Sequence, residues 1–195
     1  MTFASIVALF VAGLFVNNYI VVQFLGICPF LGLSKKMDSA LGMGVAVTFV
    51  MVITSLVTYP IYNYIMVPLG IEYLEIIVFI FVIAALVQIL EMIIKKISPA
   101  LYTTMGVYLP LITTNCAILG VAELNLTSSL VTGVAGAFFN GLFSGLGFTL
   151  AIVLLAGLRE KVDNLPIAKS IKGFPITMIV ACLMAMAFYV FSFIA

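Results

Sequence analysis

Leu25-Gly-Ile-Cys28-Pro-Phe-Leu-Gly32-Leu-Ser34 is the stretch that decides the fold, and Thr114-Asn-Cys116-Ala-Ile-Leu-Gly120-Val-Ala122 is its counterpart downstream. Both contain Cys-x-x-Leu-Gly, and both lie within apolar segments long enough to cross a bilayer. Pro29 has no backbone donor and crowds the preceding turn, so the first stretch predicts an interrupted helix. Interrupted helices in a membrane often mark binding sites, because protein or a polar cavity must satisfy the freed backbone groups.

The composition is that of an integral membrane protein. Of the 195 residues, 65% are hydrophobic and only 8% are charged, and the mean hydropathy is +1.38. The net charge of +1 gives no reason to expect a nucleic-acid partner. The apolar run over residues 3–16 has no basic segment before it, so we expect it to belong to the first membrane helix rather than to a cleaved signal peptide. We predict a single membrane domain over residues 1–195.

The hydrophobic pattern predicts six membrane spans, at residues 3–33, 40–67, 74–95, 99–122, 128–158 and 174–194. The eight basic residues all follow the first, third and fifth spans: Lys35, Lys36, Lys95, Lys96, Arg159, Lys161, Lys169 and Lys172. The positive-inside rule therefore places these links in the cytoplasm of a bacterial or archaeal cell (inner) membrane and both termini outside. We interpret the basic stretch 159–172 as an orientation signal, with docking of a cytoplasmic subunit as the alternative. Glu123 falls in a predicted outer loop.

This topology makes the two cysteine stretches run in opposite directions through the membrane. A second match supports an inverted repeat, since Gly44-Val-Ala-x-x-Phe49 corresponds to Gly133-Val-Ala-x-x-Phe138. The predicted fold is an all-α integral membrane protein of six transmembrane helices. They form two inverted three-helix repeats, about 1–97 and 98–195, in which the first and fourth helices are interrupted.

Cys28 and Cys116 are predicted to approach the membrane midplane from opposite sides. Each precedes a charged residue, Lys35 or Glu123, by seven positions, which is about 10 Å of helix in a hydrocarbon core about 30 Å thick. Thiolates bind soft metals and iron–sulfur clusters, and because a cluster takes four ligands a partner would have to supply the other two. A disulfide between the two cysteines stays open as an alternative. Cys182 has no repeat counterpart, so we expect it to pack as a small apolar residue.

Five polar residues near the cysteine stretches are candidates to donate hydrogen bonds to such a centre or to line a cation path: Asn17, Asn18, Thr113, Thr114 and Asn115. The alternative is that they form hydrogen bonds between helices. A separate stripe of small residues at four-residue spacing, Gly133, Ala137, Gly141 and Gly145, predicts close helix contact within this chain or with a partner.

Several longer motifs, which together extend over nearly the whole chain, resemble the RnfA/NqrE family. They are Val16-Asn-Asn18, Phe24-Leu-Gly-Ile-Cys-Pro-Phe-Leu-Gly-Leu-Ser-Lys-Lys36, Ala85-Leu-Val-Gln-Ile-Leu-Glu-Met92, Ser98-Pro-Ala-Leu-Tyr102, Leu109-Pro-Leu-Ile-Thr-Thr-Asn-Cys-Ala-Ile-Leu-Gly120 and Arg159-Glu-Lys161. Members of this family are small membrane subunits of two related ion-pumping electron-transfer complexes. The Cys-Pro-Phe form and the short loop after Glu123 resemble the RnfA branch, from the Rnf ion-translocating electron transport complex, more closely than the NqrE branch, from the sodium-pumping quinone reductase.

The resemblance implies a function as well as a fold. Family members pair with a homologous membrane subunit of opposite orientation, which would be RnfE-like here. Each pair holds a [2Fe-2S] cluster with two cysteines from either chain, and the matching metal ligands here are Cys28 and Cys116. Other Rnf subunits carry flavins and further iron–sulfur centres and pass electrons between ferredoxin and NAD, coupled to Na+ or H+ transport. This chain has no nucleotide-binding fingerprint, so we expect no catalytic residue and no complete active site in it, and its expected role is an electron relay within a translocase.

Changing the charge of a centre in a low dielectric is costly unless a cation moves nearby. We therefore hypothesise that reduction at the two cysteines biases the inverted halves between inward-open and outward-open arrangements. Three alternatives remain at this stage. They are the corresponding NqrE-type subunit of the Na+-translocating NADH:quinone reductase, a small-solute secondary transporter with structural cysteines, and a scaffold for other subunits.

Overall fold

The computed structural model describes residues 3–16, 18–34, 37–97, 109–128, 131, 133–163 and 173–194. Every regular element within these ranges is helical. The main helices are α1 (Phe3–Val11), α2 (Ile27–Leu33), α3 (Met37–Ile61), α4 (Glu75–Ile97), α5 (Leu109–Thr113), α6 (Cys116–Thr127), α7 (Gly133–Asp163) and α8 (Phe174–Ile194). A π-helical segment, Ala12–Val16, extends α1, and a second one, Tyr62–Met66, continues α3 into a last helical turn at Val67–Leu69. A 3-10 turn, Glu72–Leu74, leads into α4.

Three helical stretches in the described residues are long and apolar enough to cross a membrane: Met37–Leu69, Glu75–Ile93 and Gly133–Val162. A shorter apolar stretch lies at Phe174–Val190. Large apolar side chains such as Ile77 and Phe81 on α4 are exposed, which suits contact with lipid rather than water. The prediction of an all-helical membrane protein is therefore confirmed, whereas the count of six spans and the inverted repeat stay predictions.

Helices α3 and α7 form the most extensive pair in the structure and define its centre. Cβ atoms built at two glycines of α7 would collide with α3: at Gly141 with the Oγ of Ser55 at 2.7 Å, and at Gly145 with the Cα of Thr48 at 2.8 Å. The hydroxyls of Thr48 and Thr149 also hydrogen-bond across the interface at 3.1 Å. Gly141 and Gly145 of the predicted small-residue stripe thus lie at a close helix contact within this chain, whereas Gly133 has nothing within 4 Å of a built Cβ.

The remaining elements pack around this pair. The segment Ala12–Val16 lies against α7 and α8, and α6 lies against α3 and α4. The main core includes Met43, Ile118, Phe148 and Ile152, all at most 2% exposed. This core includes Phe30 of α2 and Ile118 of α6, so it supports the two helices that contain Cys28 and Cys116.

The first predicted span is interrupted, but not at Pro29 as the sequence predicts. The chain leaves helical geometry before Cys28, over residues 18–26, and α2 starts at Ile27. Pro29 is then the third residue of α2, in the first turn, where no amide donor is needed. Gly26 precedes the helix in the left-handed conformation, at φ 80°.

Two predicted loop residues are helical instead. Glu123 belongs to α6, which continues to Thr127 and is fixed near its end by a 2.8 Å hydrogen bond from Asn140 Nδ2 to Asn125 Oδ1. Arg159 belongs to α7, which continues to Asp163, and it is only 8% exposed. In both cases the helix continues beyond the end that hydropathy predicts, and the added turn makes a tertiary hydrogen bond to another element.

Candidate functional site

The irregular segment 18–26 is buried at residues 18–21 and at Gly26, and two of its backbone hydrogen bonds lie within the segment. The Val22 amide donates to the Asn18 carbonyl at 2.9 Å, and the Leu25 amide donates to the Tyr19 carbonyl at 2.7 Å. The Asn18 side chain donates to the Leu14 carbonyl at 3.3 Å and to the Gly147 carbonyl of α7 at 2.9 Å. The break is therefore tied to the central helix, as a broken helix at membrane depth requires.

Cys28 is the second residue of α2 and its side chain is exposed. Phe24, just upstream, has a positive φ of 58° and is 61% exposed. A bulky residue in this conformation is a genuine outlier and is expected where the surrounding structure requires it. The segment thus presents a thiol and an aromatic ring at the surface of this chain.

The second cysteine lies at a matching interruption between α5 and α6. Thr114 and Asn115 are not helical, and Asn115 caps α6 by accepting a hydrogen bond from the Ala117 amide at 3.1 Å. Cys116 is the first residue of α6, its side chain is exposed, and its sulfur lies 3.9 Å from the Thr114 carbonyl. Each cysteine therefore lies in the first turn of a helix that follows a break.

The fold brings the two cysteine stretches into contact. A Cβ built at Gly26 would lie 2.8 Å from Asn115 Oδ1 and 3.1 Å from the Cβ of Ala117. A Cβ built at Gly120 would lie 2.6 Å from a methyl group of Leu25. Gly26, two residues before Cys28, therefore contacts Asn115, one residue before Cys116, so the two helix breaks adjoin.

The five polar candidates divide by their surroundings. Asn17 lies outside the described residues, and Asn18 is fully buried and bonded to backbone carbonyls. Thr113 is half-buried at the end of α5. Thr114 is exposed and donates to the Pro110 carbonyl at 3.0 Å. Asn115 is buried next to Cys116 in the chain, and of its two side-chain polar atoms only Oδ1 makes a hydrogen bond, in the helix cap.

The donor set of the region fits a shared metal centre. All three cysteines are free and exposed, and among the described residues no group of three or more His, Cys, Asp or Glu side chains could hold a metal. The Asn115 Nδ2 atom is buried without a hydrogen-bond partner, one residue from Cys116. Two exposed thiols, with an unpartnered amide donor one residue from Cys116, suit a centre that a second subunit completes, because groups outside the first coordination sphere commonly donate to cluster sulfur.

Two electrostatic features were missed by the sequence analysis. The Arg159 guanidinium is buried against the end of α2, and burial of a single Arg leaves no pattern in a sequence. Glu123, just beyond the predicted fourth span, has a pKa raised above its ordinary value. Burial is the main cause, and the charge of Glu75 and a hydrogen bond with its carboxyl group add to it. Glu75 begins α4 and Glu123 lies on α6, so only the packing of these two helices brings the carboxyl groups together.

Fold and site together define a multi-pass helical membrane protein that presents an exposed thiol at each of two adjoining helix breaks. A family model described as "Rnf-Nqr subunit, membrane protein" matches residues 6–195, and the chain belongs to this family.

Curated relatives match nearly full length. The chain is 53% identical over 188 residues to the A subunit of the Na(+)-translocating ferredoxin:NAD(+) oxidoreductase complex of Acetobacterium woodii, covering 96% of this chain and 97% of the relative. It is 47% identical over 190 residues to the A subunit of the ion-translocating oxidoreductase complex of Syntrophotalea carbinolica, covering 96% of each chain. It is 50% identical over 177 residues to the corresponding protein of an Azoarcus species, covering 91% of each. The predicted resemblance is thereby confirmed.

Proposed function

We propose that this chain is a membrane subunit of an ion-translocating ferredoxin:NAD oxidoreductase and that it relays electrons across the membrane through a [2Fe-2S] cluster shared with a homologous subunit. The observation that supports this most is the contact between the Cys28 and Cys116 stretches at two helix breaks, with both thiols exposed. The names of the relatives favour the Rnf branch over the NqrE-type subunit of the quinone reductase.

In this proposal the chain supplies two thiolates and their support. Cys28 and Cys116 occupy two of four iron coordination positions, and the Asn115 Nδ2 atom is free to donate a hydrogen bond to sulfur. Gly26 allows the two stretches to approach, since any side chain there would meet the Asn115 side chain. When bound, a [2Fe-2S] cluster supplies a one-electron stop between donors and acceptors on the two faces of the membrane.

The test is to replace each cysteine in the assembled complex. We expect Cys28→Ser and Cys116→Ser each to abolish one iron–sulfur electron paramagnetic resonance (EPR) signal, to remove the iron of one cluster and to stop electron transfer. Cys182→Ser is the matched control, because Cys182 is also free and exposed but lies on α8, and it should leave all three unchanged. Serine variants that keep iron and electron transfer would favour a scaffold, and bound solute without iron would favour a secondary transporter.

We also propose that both termini lie outside the cell membrane and that the basic links are cytoplasmic. Lys95 and Lys96 support this orientation, because both are exposed in the last turn of α4. An alkaline phosphatase reporter fused after the last residue should be active, whereas a fusion after Lys96 should be inactive. The reverse pattern would overturn the orientation.

A further inference from the structure

Arg159 is a buried cation near the end of α7. It is only 8% exposed, although the sequence groups it with a basic link. Placing a guanidinium away from water is costly unless its donors are used. In the described residues Arg159 Nη1 makes two hydrogen bonds, whereas Nε is buried without a partner. The hydrogen bonds of the guanidinium therefore indicate which part of the structure Arg159 stabilises.

The guanidinium holds the far end of the helix that contains Cys28. Arg159 Nη1 donates to the Leu31 carbonyl at 3.2 Å and to Ser34 Oγ at 3.1 Å. Ser34 is fully buried and its hydroxyl lies 3.5 Å from the same carbonyl. Leu31 lies in the last turn of α2 and Ser34 is its C-cap, so all these contacts lie at the C-terminal end of that helix.

Such an anchor matters because α2 is short. The helix has seven residues and follows the irregular segment 18–26, so few of its own hydrogen bonds fix its orientation. Its last carbonyls have no helical partner, and a cation at a helix C-terminus both donates to such carbonyls and interacts favourably with the helix dipole. Cys28 lies three residues before Leu31 on the same short rigid unit.

We propose that Arg159 is the positioning residue for Cys28: by binding the Leu31 carbonyl and Ser34 it fixes α2 and so sets the direction of the Cys28 thiol. The proposal rests on the proposed function only in taking Cys28 as a cluster ligand. Arg159 itself is not placed among the ligands.

The first test uses the full-length chain with Cys182→Ser, so that Cys28 and Cys116 are the remaining thiols. Maleimide labelling rates of the two are compared as a ratio, with Cys116 as the internal reference. Arg159→Met should raise the Cys28 rate severalfold relative to Cys116. Ser34→Ala, a milder change that removes one acceptor, should shift the ratio the same way but less. The matched control is Lys161→Met, which removes an exposed charge two residues further along α7 and should leave the ratio unchanged.

The second test uses the assembled complex. Arg159→Met should alter the EPR line shape of the membrane centre and shift its midpoint potential to more negative values, because a nearby positive charge favours the reduced state. Arg159→Lys should restore the potential in part.

Unchanged labelling ratios in both Arg159→Met and Ser34→Ala would overturn the proposal, as would an equal shift in Lys161→Met. Ser34→Ala also decides the question if Arg159→Met fails to assemble. If Cys28→Ser keeps the EPR signal, the proposed function fails, whereas the labelling ratio still tests the anchor on its own.

Discussion

Gly26 is the residue at which the two cysteine stretches meet. It adopts φ 80°, and a Cβ there would approach Asn115 Oδ1 to 2.8 Å. Gly70 is a useful comparison, because it has nearly the same conformation, φ 67°, with nothing within 4 Å of a built Cβ. Comparing substitutions at Gly26 and Gly70 therefore distinguishes the cost of backbone strain from the cost of a collision between the two cysteine stretches.

We predict that Gly26→Ala is clearly more destabilising than Gly70→Ala. The left-handed conformation costs roughly 1–2 kcal/mol for alanine at either position, and only Gly26→Ala adds the collision with Asn115. Thermal unfolding of the two variants in detergent measures the difference. Equal losses of stability would mean that the two cysteine stretches are not in close contact at Gly26.

Glu123 is the second residue whose behaviour depends on a distant partner. Its pKa is raised above its ordinary value of 4.5, first by burial and then by Glu75. The folded state therefore binds the proton more tightly than the unfolded state does. Ionisation of Glu123 therefore costs stability. The free energy of unfolding falls as the pH rises from the unfolded pKa of Glu123 through its raised folded pKa, and the loss is complete above that window.

Glu123→Gln should therefore raise the unfolding temperature at neutral pH and have no effect in acid, where the wild-type carboxyl is already protonated. Because Glu123 is only partly buried, the gain at neutral pH should be small. Glu75→Gln should give part of the same gain, since the charge and hydrogen bond of Glu75 are the lesser causes. Unfolding scans across this pH range measure it, and a gain that is constant with pH would contradict the assignment.

At the scale of elements, the α3–α7 pair depends on the absence of side chains at its closest points. A Cβ at Gly145 would lie 2.8 Å from the backbone of Thr48, whereas a Cβ at Gly157 on the same helix would lie at an ordinary 3.7 Å from the end of Met37. Backbone cannot move aside without separating the helices, but the end of a methionine can.

We predict that Gly145→Ala destabilises the protein by about 1–3 kcal/mol, as overpacking usually does. Gly157→Ala should be neutral or stabilising by up to about 1 kcal/mol, because alanine favours helix over glycine. Unfolding of both variants in mixed detergent micelles gives the comparison. A similar effect of both substitutions would show that the α3–α7 contact is looser than described.

At the scale of the whole molecule, the candidate centre is incomplete in one chain. Both cysteines of the site are exposed, and the described residues provide no third metal-binding side chain beside them. Under the proposed function, a centre shared between subunits would account for the exposure of the thiols at the two helix breaks.

The full-length chain produced without other subunits should therefore purify without iron and react with maleimide at Cys28 and Cys116. In the assembled complex both thiols should be protected and the iron of one cluster should be present. Metal analysis and thiol labelling of the two preparations measure this. Stoichiometric iron in the isolated chain would show that it completes the centre alone or with a second copy of itself.

The amino-acid sequence by itself determined the features that depend on local pattern. Apolar runs defined an all-helical membrane protein, and the motifs around Cys28 and Cys116 indicated the family. The glycine spacing of α7 predicted a close helix contact. The helices and the close contact follow from hydropathy and helical periodicity, which neighbouring residues set, whereas the family followed from a resemblance of motifs.

Tertiary structure alone decided where the backbone breaks and which polar groups are buried. The first span breaks before Cys28 rather than at Pro29, because the Asn18 side chain reaches Gly147 on a distant helix and stabilises the irregular segment. Arg159 is buried with its Nη1 atom donating to the Leu31 carbonyl of α2, 128 positions away in the chain. A hydrogen bond between residues more than a hundred positions apart leaves no pattern in the local sequence. Such bonds are therefore seen only in the folded chain.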